Sequence, residues 1–168
     1  MITAFSGRVP HASPAPEACG TGAAARTGRK DVRAAEQTAR TAFKARFDSA
    51  YRQYAAVRLG DDDAGDVVEA VWKQIELGWA GLLRCPSPAG GAWTLLSRAV
   101  HASPARPPSP LDKLPRPAAD AFLLRHCVGL EADRAAEAMG MEPAAFESLY
   151  RSVVPRPASG NPPGIFDR

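Results

Sequence analysis

Leu130-Glu131-Ala132-Asp133-Arg134-Ala135-Ala136-Glu137-Ala138-Met139-Gly140-Met141-Glu142-Pro143-Ala144-Ala145-Phe146 is the stretch that decides the fold. Ala135 or Ala136 gives a short helix a smooth side that a second helix can approach closely. Gly140 suits the tight turn between them, because glycine enters the left-handed region without steric cost. Met141 just after the turn and Phe146 in the following helix plug the space between the two. The pattern is that of a helix-turn-helix, whose second helix enters the DNA major groove. Taken alone it fits a plain αα-hairpin equally well.

Working outward, Ala118, Ala121, Phe122, Leu123 and Cys127 mark a preceding helix that ends at Gly129. The next helix runs from Leu130 to Met139. The last opens with Pro143, carries Phe146, Leu149, Tyr150 and Val153 at helical spacing, and stops at Pro155. Upstream, Pro104, Pro107, Pro108, Pro110, Pro115 and Pro117 leave no room for a helix or a central strand, so this stretch reads as an extended linker. Before it, a helix builds from about Asp31, with Phe43, Phe47, Ala50, Tyr51, Tyr54 and Val57 as its apolar stripe. Gly60 suits its C-terminal cap. Asp61, Asp62 and Asp63 suit the start of a second helix, where carboxylates meet free N–H groups and the positive end of the helix dipole. That helix carries Val67, Val68, Val71, Trp72, Ile75, Trp79, Leu82 and Leu83, and is weakened by Gly78 and Gly81. Ser87 as N-cap and Pro88 at the first position open a third helix with Trp93, Leu96, Ala99 and Val100 inward.

The predicted fold is therefore all-α. A helical domain over 29–101 and a helix-turn-helix over 116–154 are joined by a Pro-rich linker at 102–115. A basic arm at 1–28 and a tail at 155–168 read as disordered. The net charge of +3 sits in residues 1–40, where Arg8, Arg26, Arg29, Lys30, Arg33 and Arg40 outnumber Glu17, Asp31 and Glu36. Residues 41–101 and 102–168 are each balanced, so the excess lies wholly in the first forty residues. Cys19, Cys85 and Cys127 form no C-x-x-C pair, and His126 and Cys127, adjacent on a helix, point to different faces. Reduced thiols are expected rather than a metal site or disulfides. No apolar run has the length of a signal core or a membrane span, which predicts a cytoplasmic protein without membrane contact.

Residues 43–58 read F-K-A-R-F-D-S-A-Y-R-Q-Y-A-A-V-R, residues 66–75 read D-V-V-E-A-V-W-K-Q-I, and residues 92–100 read A-W-T-L-L-S-R-A-V. In this order they resemble the core-binding domain of sigma-70 family factors of the extracytoplasmic-function (ECF) type. That family shows an F-x-x-x-Y-x-x-Y helix, then a D-V-V-Q-E-V-F-like helix, then an A-W-L-like helix. Residues 114–153, beginning L-P-R-P-A-A-D-A-F-L-L-R, resemble its C-terminal helix-turn-helix domain. The likeness spans 43–153 and leaves both tails uncovered. It implies a region-2-like domain whose second helix docks on the β′ coiled coil of core RNA polymerase through Asp66, Glu69, Ala70 and Lys73. It further implies a region-4-like domain that reads the upstream promoter element in the major groove. The third helix would open and read the minus-ten element. An anti-sigma protein is a further partner of the kind the resemblance admits.

The chain also departs from the family pattern. A recognition helix of the type T-V-[RK]-S-R-L-x-R is replaced by Ala145, Phe146, Glu147, Ser148, Leu149, Tyr150, Arg151 and Ser152. Glu147, Leu149 and Ser152 stand where basic residues usually meet DNA, and each lost cation removes roughly one released counterion's worth of affinity. Ser148, Tyr150 and Arg151 remain as expected DNA contacts. The Arg-Asn pair and basic run that follow A-W in the family are also missing after Ala92-Trp93. These departures set up an alternative expectation, a degenerate sigma-like regulator that works by protein contact without DNA binding. Asp61, Asp62 and Asp63 are more cheaply explained by helix capping than by a cation, and Trp72, Trp79 and Trp93 more cheaply by the core than by base stacking. No nucleophile motif, phosphate loop or metal signature is present, so neither catalysis nor a cofactor is expected.

Overall fold

The computed structural model describes residues 21–104 and 106–154, with side chains from residue 31 on. The expected disorder of 1–20 and 155–168, and Cys19, lie outside the described residues. Within them the fold is all-α: α1 (Thr21–Leu59), α2 (Asp61–Leu77), the short α3 (Trp79–Leu82), α4 (Pro88–Ala102), α5 (Arg116–Phe122), α6 (Ala132–Met139) and α7 (Pro143–Val153). A 3₁₀ turn spans Pro110–Lys113, and α5 continues as a π-type turn over Leu123–Cys127. The start of α1 at Thr21 falls inside the stretch expected to lack structure. Residues through Thr38 and residues from Ala39 onward form separate compact units.

In the second unit most of the expected apolar stripe of α1 lies inward, but Val57 at its end is 43% exposed and Leu59 takes the buried place instead. Phe47, Tyr51, Tyr54, Ala55 and Leu59 are buried, and Phe43 packs against them. The Tyr51 ring stacks on Trp72 at 5.4 Å between centroids, and Tyr54 meets Trp93 at 4.7 Å. All three tryptophans are buried. Gly60 ends α1 at φ 89°, a conformation L side chains rarely adopt. Asp61, Asp62 and Asp63 occupy the first turn of α2, and Gly78 closes that helix, so the expected run on to Leu83 is broken: Trp79 and Leu82 are buried from the separate α3, and Leu83 is 52% exposed. Ser87 caps α4 by accepting from the Gly90 N–H at 3.0 Å, with Pro88 in the first turn.

The helices expected to form two domains share one apolar core. Ala121, Leu123, Leu124, Ala135, Ala136, Met139 and Phe146 belong to the same buried cluster as Tyr51, Trp72 and Trp93. Gly140 ends α6 in the left-handed region at φ 65°, and a Cβ there would lie 1.9 Å from the Gly90 backbone nitrogen. The corner between α6 and α7 is thus pressed onto the start of α4, and Ser87 Oγ donates to the Gly140 carbonyl at 2.7 Å. Arg46 on α1 forks onto Glu137 at 2.7 and 2.8 Å. Among the described residues the proline-dense stretch contains no α-helix between Ala102 and Arg116, but it is not wholly extended. Pro110 begins its 3₁₀ turn, and Ser109 and Asp112 close a capping box. Asp112 also takes Arg106 at 2.5 Å and Arg58 of α1 at 3.3 Å, while Leu111 packs on the core. Proline forbids the α-helical hydrogen bonds here and leaves this shorter turn open.

Candidate functional site

Two helix faces carry the residues that the sequence singles out. On α2, Val68, Val71, Trp72 and Ile75 point into the core. Asp66, Ala70 and Lys73 are exposed, and their spacing puts them on one outward stripe. Leu77 extends that stripe by another turn and is 92% exposed. Neither Asp66 nor Lys73 has an ion-pair partner among the described residues. Glu69 is turned back toward α1, where Lys44 reaches it at 3.3 Å and Arg52 binds its other oxygen. Arg52 foremost, with Lys44 assisting, holds the Glu69 carboxyl below the usual carboxylate range. Arg52 in turn binds Asp48 at 2.8 Å, and Asp48 accepts from the Trp72 indole at 2.7 Å. Three of the four expected polymerase contacts therefore form an open stripe, and the fourth is occupied within the chain.

On α7, Phe146 is fully buried as the plug between helices. Ala144, Ala145, Ser148, Arg151 and Ser152 face outward. Ser148 is free to meet a partner. Arg151, the only cation of this helix, binds Glu147 one turn back at 3.3 Å. Tyr150 is half-buried, and its hydroxyl shares a 2.8 Å hydrogen bond with His126 Nε2. Leu149 packs against the core, and Ser152 Oγ donates to the Leu149 carbonyl at 2.6 Å. The face that would meet DNA is thus mostly methyl and hydroxyl groups, with its one positive charge partly balanced.

A third constellation escaped the sequence reading. Asp120 on α5 is 1% exposed and accepts from Tyr54 Oη on α1 at 2.6 Å and from Ser97 Oγ on α4 at 2.7 Å. His101 Nε2 on α4 lies 3.4 Å away, and the other ring nitrogen faces buried Arg58 at 3.4 Å. Burial, reinforced by the Asp120 charge, pushes the Tyr54 hydroxyl well above its ordinary range. Burial also lowers the His101 pKa, although Asp120 works against it. These residues sit on three helices with no fixed spacing between them, so no motif could announce them. The one available signal was an aspartate inside an otherwise apolar helical run, Ala118 to Leu124.

Comparisons with protein-family models, curated proteins and solved structures found no match to the chain. Among the described residues, no group of three or more His, Cys, Asp or Glu side chains could hold a metal ion. No helix among them is long and apolar enough to cross a membrane.

Proposed function

We propose that this chain is a sigma-like transcription initiation factor, docking on the β′ subunit of core RNA polymerase through α2 and approaching promoter DNA through α7. The observation that carries the reading is the partition of α2. Val68, Val71, Trp72 and Ile75 are inward, while Asp66, Ala70 and Lys73 are outward and unpaired, the division that a docking helix of the ECF type requires. On this reading 29–101 is region-2-like, 116–154 is region-4-like, 102–115 links them, and the protein acts in the cytoplasm without a cofactor. Reaching polymerase and promoter with separate parts then requires the contact between α4 and the Gly140 corner to open. The test is retention on core RNA polymerase together with promoter-dependent run-off transcription. Wild-type chain should be retained, and Lys73→Glu should weaken retention at least about tenfold, the scale of a charge reversal at a close interfacial contact. Absence of both retention and transcript would end the reading.

A second reading is favoured by the Glu147–Arg151 pair and the alanine- and serine-lined face of α7. In it the sigma-like fold is a regulator that contacts proteins and has given up DNA. It predicts no measurable promoter affinity at physiological salt. Tight, salt-sensitive binding that disappears in Arg151→Ala would contradict it.

A further inference from the structure

α4 borders a cavity of about 360 Å³ that contains none of the residues assigned above to polymerase or DNA contact. Trp93, Met139 and Met141 supply its apolar wall, Ser97 and buried Asp120 its polar floor, and Arg98 and Arg116 also line it. Arg98 comes from α4 and Arg116 from the first turn of α5, so the cavity lies across the junction of the two helices. Both guanidiniums are exposed, and neither has an ion-pair partner among the described residues. Asp120 makes no ion pair with either among the described residues; its oxygens accept from Tyr54 and Ser97 and face His101, and its charge keeps an anion off the floor and on the exposed arginines. The positive field of Arg116 also reaches His101, where together with Arg58 it disfavours the imidazolium.

We infer that this cavity is a binding site for a small organic phosphate, with the phosphate held between Arg98 and Arg116 and an apolar body laid against Trp93, Met139 and Met141. Paired guanidinium forks match phosphate oxygens in geometry and charge. A partly enclosed apolar wall with a few convergent polar groups is the ordinary make-up of a small-molecule site. Because the arginines belong to different helices, a bound phosphate ties α4 to α5 and favours the state in which the two are packed together. The inference does not depend on the transcriptional reading.

The probe is phenyl phosphate, titrated into the full chain by calorimetry at fixed ionic strength. Saturable binding is expected, tighter than that of inorganic phosphate because the ring adds the apolar contact. Arg98→Gln and Arg116→Gln should each weaken it about tenfold, the scale of one lost charge-assisted contact. Arg84→Gln, outside the cavity, should leave it unchanged. Phenyl phosphate should also raise the melting temperature of the wild-type chain more than sodium chloride of equal ionic strength does, a readout that needs no variant. No saturable heat at millimolar probe would overturn the site. So would equal losses in Arg84→Gln and the cavity variants, or a melting shift that salt alone reproduces.

Discussion

At the scale of single residues, glycines with positive φ separate strain from space. Gly60 has φ 89° and nothing within 4 Å of the position a Cβ would take, so Gly60→Ala meets backbone strain alone, about 1–3 kcal/mol. Gly140 has φ 65° and would drive its Cβ to 1.9 Å from the Gly90 nitrogen. Gly140→Ala should cost more than about 3 kcal/mol, because backbone on both sides must move. Urea midpoints of the two variants should rank in that order, and equal midpoints would mean that the corner does not bear on α4. The two buried tyrosines make a matching pair. The Tyr54 hydroxyl serves Asp120, so Tyr54→Phe strips a donor from a buried carboxylate and should destabilise by about 1–3 kcal/mol. The Tyr51 hydroxyl is buried without a hydrogen-bond partner. Tyr51→Phe should therefore be neutral or stabilising in the same urea series.

At the scale of elements, the sequence was most readable where one local rule governs. Ser87-Pro88 starts α4 because the serine hydroxyl meets a free N–H and proline lacks one, and the structure has that cap. Most of the apolar stripe of α1 and the inward residues of α2 follow from helical period, which however did not place Val57 and Leu83 outside. Less could be read where the outcome depends on distant partners. Nothing local says that the Ser87 hydroxyl also donates to the Gly140 carbonyl, or that the Glu69 carboxylate turns back along the surface to Lys44 and Arg52. The 3₁₀ turn at Pro110–Lys113 was hidden because proline density excludes helix without saying what replaces it. On α7 the identities of Glu147 and Leu149 announced a poor DNA face, but their roles, pairing Arg151 and packing inward, needed the fold. The dual use of Ser87 gives the element-scale prediction. Ser87→Ala removes both the cap of α4 and the bridge to the corner between α6 and α7, so the loss should reach about 1–3 kcal/mol, above that of an isolated cap. Thermal unfolding followed by circular dichroism measures it. A loss no larger than that of an isolated cap, about 1 kcal/mol, would show that the bridge contributes nothing.

At the scale of the whole molecule, the contacts that join the expected halves are polar as well as apolar, and the buried group at their centre responds to pH. His101 lies between Asp120 and Arg58, with Arg116 also within electrostatic reach. Removal from water is the main influence lowering its pKa below the ordinary 6.5; Asp120 opposes the shift, and the two arginines add to it. The folded chain therefore binds this proton less tightly than the unfolded chain does. Its contribution is complete above about pH 6.5 and falls away as pH drops through that value toward the lower folded pKa. Asp112 acts in a separate and more acidic window. Its hydrogen bond from Arg106, then that from the Ser109 N–H, brings its pKa to about 2. The stabilisation tied to that carboxylate is present above its ordinary 3.8 and is lost between there and about 2. The Asp112 window lies below pH 4, so urea midpoints measured from pH 8 to pH 5 read the histidine without it. Wild-type midpoints should decline over that range. His101→Gln, whose side-chain amide can still donate to Asp120 but does not titrate, should flatten the decline while leaving the acid limb below pH 4 in place. Asp112→Asn should do the reverse. A wild-type curve flat from pH 8 to pH 5, or one that His101→Gln leaves equally steep, would mean that the contact among α1, α4 and α5 does not depend on keeping His101 neutral.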